Sequence, residues 1–589
     1  MFNRYYEDEL LYLRELGAEF ARAYPQAAHL LSGTSSDPDV ERLLEGFAFL
    51  TARIRERLDD ELPEVTHGLM NMLWPHYLRP VPSMSMLEFQ PRFAALRQTH
   101  RVERGVQVQS VPVEGTACRF RTAYAVDLQP ISLEQTQLET QGAGVSRLWL
   151  GFKVWNKLPL DVLDLRTLRL HLHGDPTITL QLHQHLLRHV AEARVVTTGP
   201  EGKGAAKTES TWRPLTIQPV GYRESEALLD YPTRSFPGYR LLQEYFALPE
   251  KFLFLDFGGF ERLRELPLEE RFWIEVRFDR ALEATLRPAP DTFRLYCTPI
   301  VNQFTHEADP FRLDRAKVEY RLRPAGANPF HYEISSVDRV TGVETGAARE
   351  REFPPFHSFI HAVEDREAPT YHVVRLRNSV VDDRADTYLS FVDSASRAAH
   401  PAVETVATRL TCTNRRLPEA LRVGDIQVPT DTSPELARFR NLTTPTPSIP
   451  PPLQGDLHWR LLSHLGLQRL SLTDLEALRG ILSLYDFQTA RDPKAARMLA
   501  LRLEGIQAIR TTPRDLVYRG ALLRGVDVDL DVREDRFAGD GDLFLFSSIL
   551  VELFALQATL NSFVRVRIKG IQKGEEIVWP ARTGERQLV

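Results

Sequence analysis

The apolar positions of the first 80 residues recur with helical spacing. Phe2, Tyr6, Leu10, Leu13, Leu16 and Phe20 follow one another every three or four residues and lay a single stripe along a helix. Ser36-Asp37-Pro38 supplies a cap and a proline suited to a first turn. Val40, Leu43, Leu44, Phe47, Ile54, Leu58 and Leu62 then continue the period until Pro63 ends it, and a third short helix is predicted from Glu64 to Leu73. From about Ser85 the period drops to two. Val106, Val108 and Val113, then Leu168, Leu170 and Leu172, alternate with polar residues as half-buried strands do. Phe252 to Phe260 and Trp273 to Asp279 read as buried strands, and similar short strands recur to about Val428 between Pro and Gly turns.

This order predicts an α+β multidomain chain. An N-terminal helical segment (1–82) precedes two β-rich, sandwich- or barrel-like domains (83–235 and 236–442), a Pro-rich linker (443–455) and a mixed α/β C-terminal domain (456–589). The linker assignment rests on Thr443 to Leu453, which carries five prolines in eleven residues. Thr197 to Ser210 is polar and Gly-rich and reads as a loop. Thr473 is placed to cap a helix from Leu475 to Leu484.

Composition narrows the class. With 589 residues the chain has room for three to five domains. It is 43% hydrophobic and 26% charged, with 73 basic and 79 acidic residues, which is too balanced for a protein whose main work is gripping phosphate backbones. The three cysteines, Cys118, Cys297 and Cys412, lie far apart and fit a reducing compartment rather than a disulfide framework. Leu543 to Val564 is apolar enough to test for membrane spanning, but Glu552, Gln557 and Asn561 favour a helix buried in protein. The N-terminus lacks the pattern of a signal peptide, and the expected location is the cytoplasm.

Candidate chemistry is sparse. His183, His185 and His189 form an HxHxxxH group in which His185 and His189 would lie one turn apart and could share a metal if a helix began near Gln184, whereas His171 and His173 alternate with leucines as solvent-facing strand residues would. His357 and His361 have zincin spacing, yet Ser358 occupies the place of the general base, and Glu364 is a poor third ligand. Asp527, Asp529 and Asp531 mimic the start of a calcium loop but alternate with Val526, Val528 and Leu530, so a strand with one wet face is the better reading. Gly202-Lys203 fails as a phosphate loop, no nucleophile elbow occurs, and Asp382-Asp383 reads as a solvated turn. No cofactor or metal is assigned. Met70, Met72, Trp74, Tyr77, Met84 and Met86 crowd together as interface residues do, although a plain core gives the same pattern. A cytoplasmic β-sandwich hydrolase with the histidine group as its metal site is the alternative to a scaffold.

Longer blocks carry a resemblance. The opening FNRYYEDELLYLRELGAEFARAYP, with DPDVERLLEGFAFLTARIRERLDDELPEVTHGLMNMLWPHYLRPVPSMSMLEF behind it, closely resembles the start of the TssF family of type VI secretion baseplate subunits. FPPFHSFIH (Phe353 to His361), LTCTNRRLPEAL, HWRLLSHLGLQRLSLTDLEALRGILSLYDF, FAGDGDLFLFSSILVELFALQATLNSFVRV and GEEIVWPARTGERQ continue it in family order. Leu560-Asn561-Ser562-Phe563 stands where the family often has INSF, a mild change, and the Thr197 to Ser210 loop is less typical.

The resemblance implies a structural, non-enzymatic subunit that pairs as two copies with one TssG and forms a wedge with TssE and TssK. Six wedges would surround a spike hub, nucleate the tube and contractile sheath, and dock on the inner-membrane complex. Neither nucleic-acid binding nor membrane insertion is implied, and His357 and His361 become packing or interface residues. Joined to the apolar stripes, it implies a shared helical bundle with partner-interface residues Tyr6, Leu10, Leu13, Leu43, Phe47, Ile54, Trp74 and Tyr77.

Overall fold

The computed structural model describes residues 6–7, 10–11, 13, 42–43, 45–52, 63–141, 145–157, 165–196, 199–200, 213–232, 235–260, 270–283, 285–314, 317–326, 328–343, 350–356, 370–379, 382–393, 399, 405–453, 474–518 and 520–584. Six helices recur below: α1 (Pro63–Leu73), α2 (Pro176–Arg188), α3 (Pro237–Ala247), α4 (Leu475–Tyr485), α5 (Pro493–Gly505) and α6 (Asp540–Ala555). The expected succession of helices, β-rich middle and mixed C-terminal region is present.

Strand Met84–Pro91 organises the first half. Its residues Met84 to Phe89 are buried whichever way they point, because it lies inside a six-stranded sheet between Cys297–Val301 and Ala437–Asn441. Gln107–Val113, Thr116–Thr122 and Ile426–Pro429 complete that sheet, so strands from both sides of the expected 235/236 boundary share it. The Pro-rich segment is fastened rather than free. The Ser85 hydroxyl donates to the Thr443 carbonyl at 2.7 Å, the Met84 and Met86 amides donate to the Thr446 and Thr443 hydroxyls, and Val81 and Ile449 exchange backbone bonds. Prolines cannot donate to a ladder, and here threonine hydroxyls satisfy the neighbouring strand instead.

Two further sheets lie beside the first. One holds Ile131–Gln141, Val145–Val154, Val190–Val196 and Arg271–Phe278; the other holds Thr167–Leu172, Phe254–Gly258, Thr216–Pro219 and Phe293–Leu295. The expected alternation at Thr167–Leu172 fails at one residue. His171 is buried rather than solvent-facing, its ring 4.4 Å from that of Phe254 and its pKa lowered to about 3 by burial.

A single apolar core runs from Met70 to Ile568. α6 is buried almost all round, as the sequence predicts, with Glu552 paired to Arg582 at 2.6 Å. No helix among the described residues is long and apolar enough to cross a membrane. Asp474, rather than Thr473, caps α4 by accepting from the Ala477 amide at 3.0 Å.

A satellite module with its own core occupies residues between Phe304 and Cys412. Its two connections meet at a neck where the Asn414 amide donates to the Asn302 side chain at 2.6 Å and the Asn302 amide nitrogen donates back to Asn414 at 2.9 Å. Asp382 and Asp383, expected to be solvated, are partly exposed and exposed, and they also bind arginines: Asp382 pairs with Arg415, and Asp383 with Arg416 and Arg491. That places a charged seam between the module and the main body.

The C-terminal region contains one βαβ unit. Ala521–Val532 and Ser562–Gly570 lie parallel, joined by the α6 crossover, with Ile506–Tyr518 antiparallel on the outer side. Asp527, Asp529 and Asp531 do line one face of a strand, opposite Arg565, Arg567 and Lys569. That face is drier than predicted at Asp527, which is buried and accepts from Arg565.

Candidate partner-docking surface

α1 begins with Pro63, whose fixed φ suits a first turn, and carries no charged residue beyond Glu64. Met70 and, just beyond its end, Trp74 point into the core, while Leu69 and Met72 are exposed. The turn Pro75–Leu78 then anchors the N-terminal segment. Tyr77 donates its hydroxyl to the Leu484 carbonyl at 3.2 Å and meets Phe487 edge-on, with ring centroids 4.9 Å apart. His76 stacks on Tyr231 at 3.8 Å, and its pKa is lowered well below the usual value, chiefly by burial. Trp74 and Tyr77 are therefore spent on packing within the chain, as are Met70, Met84 and Met86.

Helical residues 45–52 are arranged the other way round. Ala48 and Ala52, one turn apart, are buried, whereas Phe47 and Leu50 are 58% and 62% exposed. Leu43, one turn before Phe47, is 74% exposed. At 100° per residue Leu43, Phe47 and Leu50 lie on one face and the alanines on the opposite one. Small residues make the contact and large apolar ones face outward, which is the reverse of a surface helix that has already found its place. Tyr6, Leu10 and Leu13 are half-buried, and Ile54 lies outside the described residues. Leu50 and Leu69 were absent from the interface expected from sequence, and Met72 entered it only as a member of the methionine and aromatic cluster. The three-residue step from Phe47 to Leu50 was the signal for the first of them, and nothing in the sequence distinguished the outward Leu69 from the inward Met70.

The candidate chemical groups do not converge. α2 spans His183 and His185 and is capped by His189, so the two later rings stand 5.5 Å apart, but His183 faces Phe544 across the α2–α6 contact. Burial lowers the pKa of His183 and of His185 to about 4. Among the described residues no three His, Cys, Asp or Glu side chains are grouped to hold a metal ion. His357, His361 and Glu364 lie outside the described residues. Burial pushes the Cys118 thiol up to about 12 and raises Cys297 and Cys412 as well, the opposite of an activated nucleophile.

An outward apolar helix face, with no metal-binding cluster among the described residues, directs attention to relatives that work in assemblies. Residues 1–586 match the family model for the type VI secretion system protein TssF. The chain belongs to the TssF family. It is 31% identical over 628 aligned positions to the type VI secretion system component TssF1 of Pseudomonas aeruginosa, covering 99% of this chain and 98% of that protein. Its fold is similar to a chain in the cryo-electron microscopy structure of the TssK-TssF-TssG baseplate subcomplex, with TM-score 0.76, 32% identity, and coverage of 93% of this chain and 99% of that one. A chain of the type VI baseplate complex is similar over the whole length of both, with TM-score 0.66 and 28% identity. As a TssF family member the protein is a structural component of the type VI secretion baseplate.

Proposed function

We propose that this TssF protein is a wedge subunit that acts by assembly rather than catalysis, two copies pairing with one TssG, and that its N-terminal helices complete a shared bundle with them. The observation that carries the reading is the outward stripe of Leu43, Phe47 and Leu50, backed by the outward Leu69 and Met72 of α1. Such a face is costly in water and stabilising when a partner covers it. Tyr6, Leu10, Leu13 and Ile54 extend the proposed bundle, while Trp74 and Tyr77 support it from within by holding α1 to the body. TssG and TssK are the partners suggested by the subcomplex its relative occupies. TssE, the spike hub and the sheath are proposed neighbours, with the assembled baseplate nucleating tube and sheath on the cytoplasmic face of the inner-membrane complex. Rearrangement of packed, bistable contacts would pass the firing signal to the sheath.

The test is the native mass of the full chain co-expressed with the TssG of its own genome. Two copies per TssG are expected for the parent, and loss of the complex for Phe47→Asp combined with Leu43→Asp, with the variant's thermal unfolding unchanged. A complex that forms normally with both aspartates in place would remove the bundle role from this helix.

A further inference from the structure

The outer hairpin of the C-terminal sheet is longer than the sheet that supports it. Ile506–Tyr518 and Ala521–Val532 pair along their whole length, from Ile506 opposite Val532 to Tyr518 opposite Ala521. The third strand reaches only as far as Arg524, opposite Ser562. Beyond Arg524 the ribbon is two strands thick, with a turn through Gly520 at φ +82°. An isolated two-stranded ribbon gains little stability in water, so its tip residues are not there to hold the fold.

Those tip residues are aliphatic on both faces. Leu516 faces Leu523 across the ribbon and Val517 faces Leu522, and Val517 and Leu522 are 72% and 63% exposed. Behind the tip, acids and bases are layered. Arg510, Arg514 and Arg524 have side chains 65%, 57% and 89% exposed, whereas the acids paired diagonally with the first two, Asp531 and Asp527, are 21% and 3% exposed. Asp515, loosely paired with Arg524, is the one exposed acid of this ribbon end among the described residues. The charges nearly balance in number, yet the layer presented to a neighbour is cationic.

We propose that this hairpin tip is a docking element, distinct from the N-terminal helical face, that inserts Val517 and Leu522 into an apolar groove with an acidic rim on another protein subunit. The proposal rests on the reading of the chain as an assembly subunit. Strand addition along the outer edge is disfavoured by Pro513, which has no N–H to offer a neighbouring strand. Charge complementarity selects the occupant: Arg524 on the face of Val517 and Leu522, and Arg514 on the face of Leu516 and Leu523, flank the aliphatic tip on its two sides, which suits carboxylates around an apolar pocket, and Arg pairs with carboxylates in two-pronged geometry.

The experiment uses the full chain co-expressed with TssG and TssK from its own genome, with a photo-crosslinking residue at position 517. The expected result is a crosslink from position 517 to a partner peptide rich in Asp or Glu. Val517→Asp with Leu522→Asp is expected to weaken the complex about tenfold or more. Arg514→Glu with Arg524→Glu should weaken it and flatten its salt dependence. Val517→Ser with Leu522→Ser, folding like the parent by thermal unfolding, guards against a trivial loss of structure. Absence of the crosslink, or full assembly by the aspartate variant, overturns the docking role and leaves the assembly reading standing. A parent chain that joins neither partner overturns both. Binding to vesicles containing anionic lipid that is lost with the 517 and 522 aspartates would also overturn the proposal, since the occupant would then be a membrane.

Discussion

Arg384 donates to the Glu333 carboxylate at 2.9 Å with both side chains buried, and the same guanidinium donates to the hydroxyl and the carbonyl of Ser448. Glu333 and Arg384 belong to the satellite module, and Ser448 belongs to the Pro-rich segment clipped to strand Met84–Pro91. One side chain thus ties the module to the main sheet. Removing one partner of a buried pair strands the other charge, at a cost of about 3–5 kcal/mol. Arg384→Met is expected to expose the module to limited proteolysis within residues 304–413 while the main body resists. Adding Glu333→Gln should recover much of the loss, because the stranded carboxylate is gone. Proteolysis that spreads at once through both parts would show that the seam does not separate two cooperative units.

Asp486 gives a pH dependence with a definite sign. Burial pushes its carboxyl up to about 6, even though it accepts from the Gln488 amide at 3.1 Å as the cap of a short turn. The folded chain then holds a proton that the unfolded chain, with a pKa near 3.9, releases. The stability contributed by this proton is complete below about pH 4 and is lost as pH rises through about 6. Asp486→Asn keeps a capping acceptor and carries no charge. It should raise the unfolding midpoint at pH 7, by an amount bounded at roughly 3 kcal/mol, with the gap closing towards pH 4. A gap independent of pH would mean that charge burial is not what Asn relieves.

Gly541 lies in the first turn of α6, where a Cβ would stand 2.4 Å from the Leu180 backbone carbon of α2. No side chain end can yield there, because the obstacle is main chain. Gly541→Ala is expected to push α2 and α6 apart and cost about 1–3 kcal/mol, read as a lower melting temperature. Gly105, with open space around its would-be Cβ but φ +90°, is the comparison: its alanine variant should suffer from backbone strain without disturbing any helix contact.

The elements were legible wherever one face of a segment decides its fate. Leu168, Leu170 and Leu172 declared their strand, α6 declared its burial through a largely apolar run broken only by Ser547, Ser548 and Glu552 between Leu543 and Ala555, and Pro63 marked the boundary at which α1 begins. His171 escaped because it sits on the wetter face of its strand, with Thr167 exposed and Arg169 half-buried, and it is the neighbouring Phe254 ring that covers it. The proline segment escaped because composition reports stiffness, not attachment, and its threonine hydroxyls gain meaning only beside Met84 and Met86. The arginine pairing of Asp382 and Asp383 escaped for the same reason, the partners lying far away in sequence. Leu43 and Phe47 stood out as a stripe, but nothing in a sequence tells apolar residues that stay exposed, as these do, from ones such as Trp74 and Tyr77 that face the chain's own core.

The placement of strand Met84–Pro91 also governs how such a subunit comes into being. Its neighbours, Cys297–Val301 on one side and Ala437–Asn441 on the other, are translated long after it, so Phe89 must wait for Phe439 until most of the chain has left the ribosome. Pairings of such sequence separation form slowly, and apolar strands left waiting are prone to stick to one another. The anchor of α1 waits as well, since Tyr77 packs against Leu484 and Phe487, which emerge later still. The central sheet therefore closes only late in synthesis, and the pace at which a folded subunit appears is set by the last strand to arrive, Ala437–Asn441, rather than by the first.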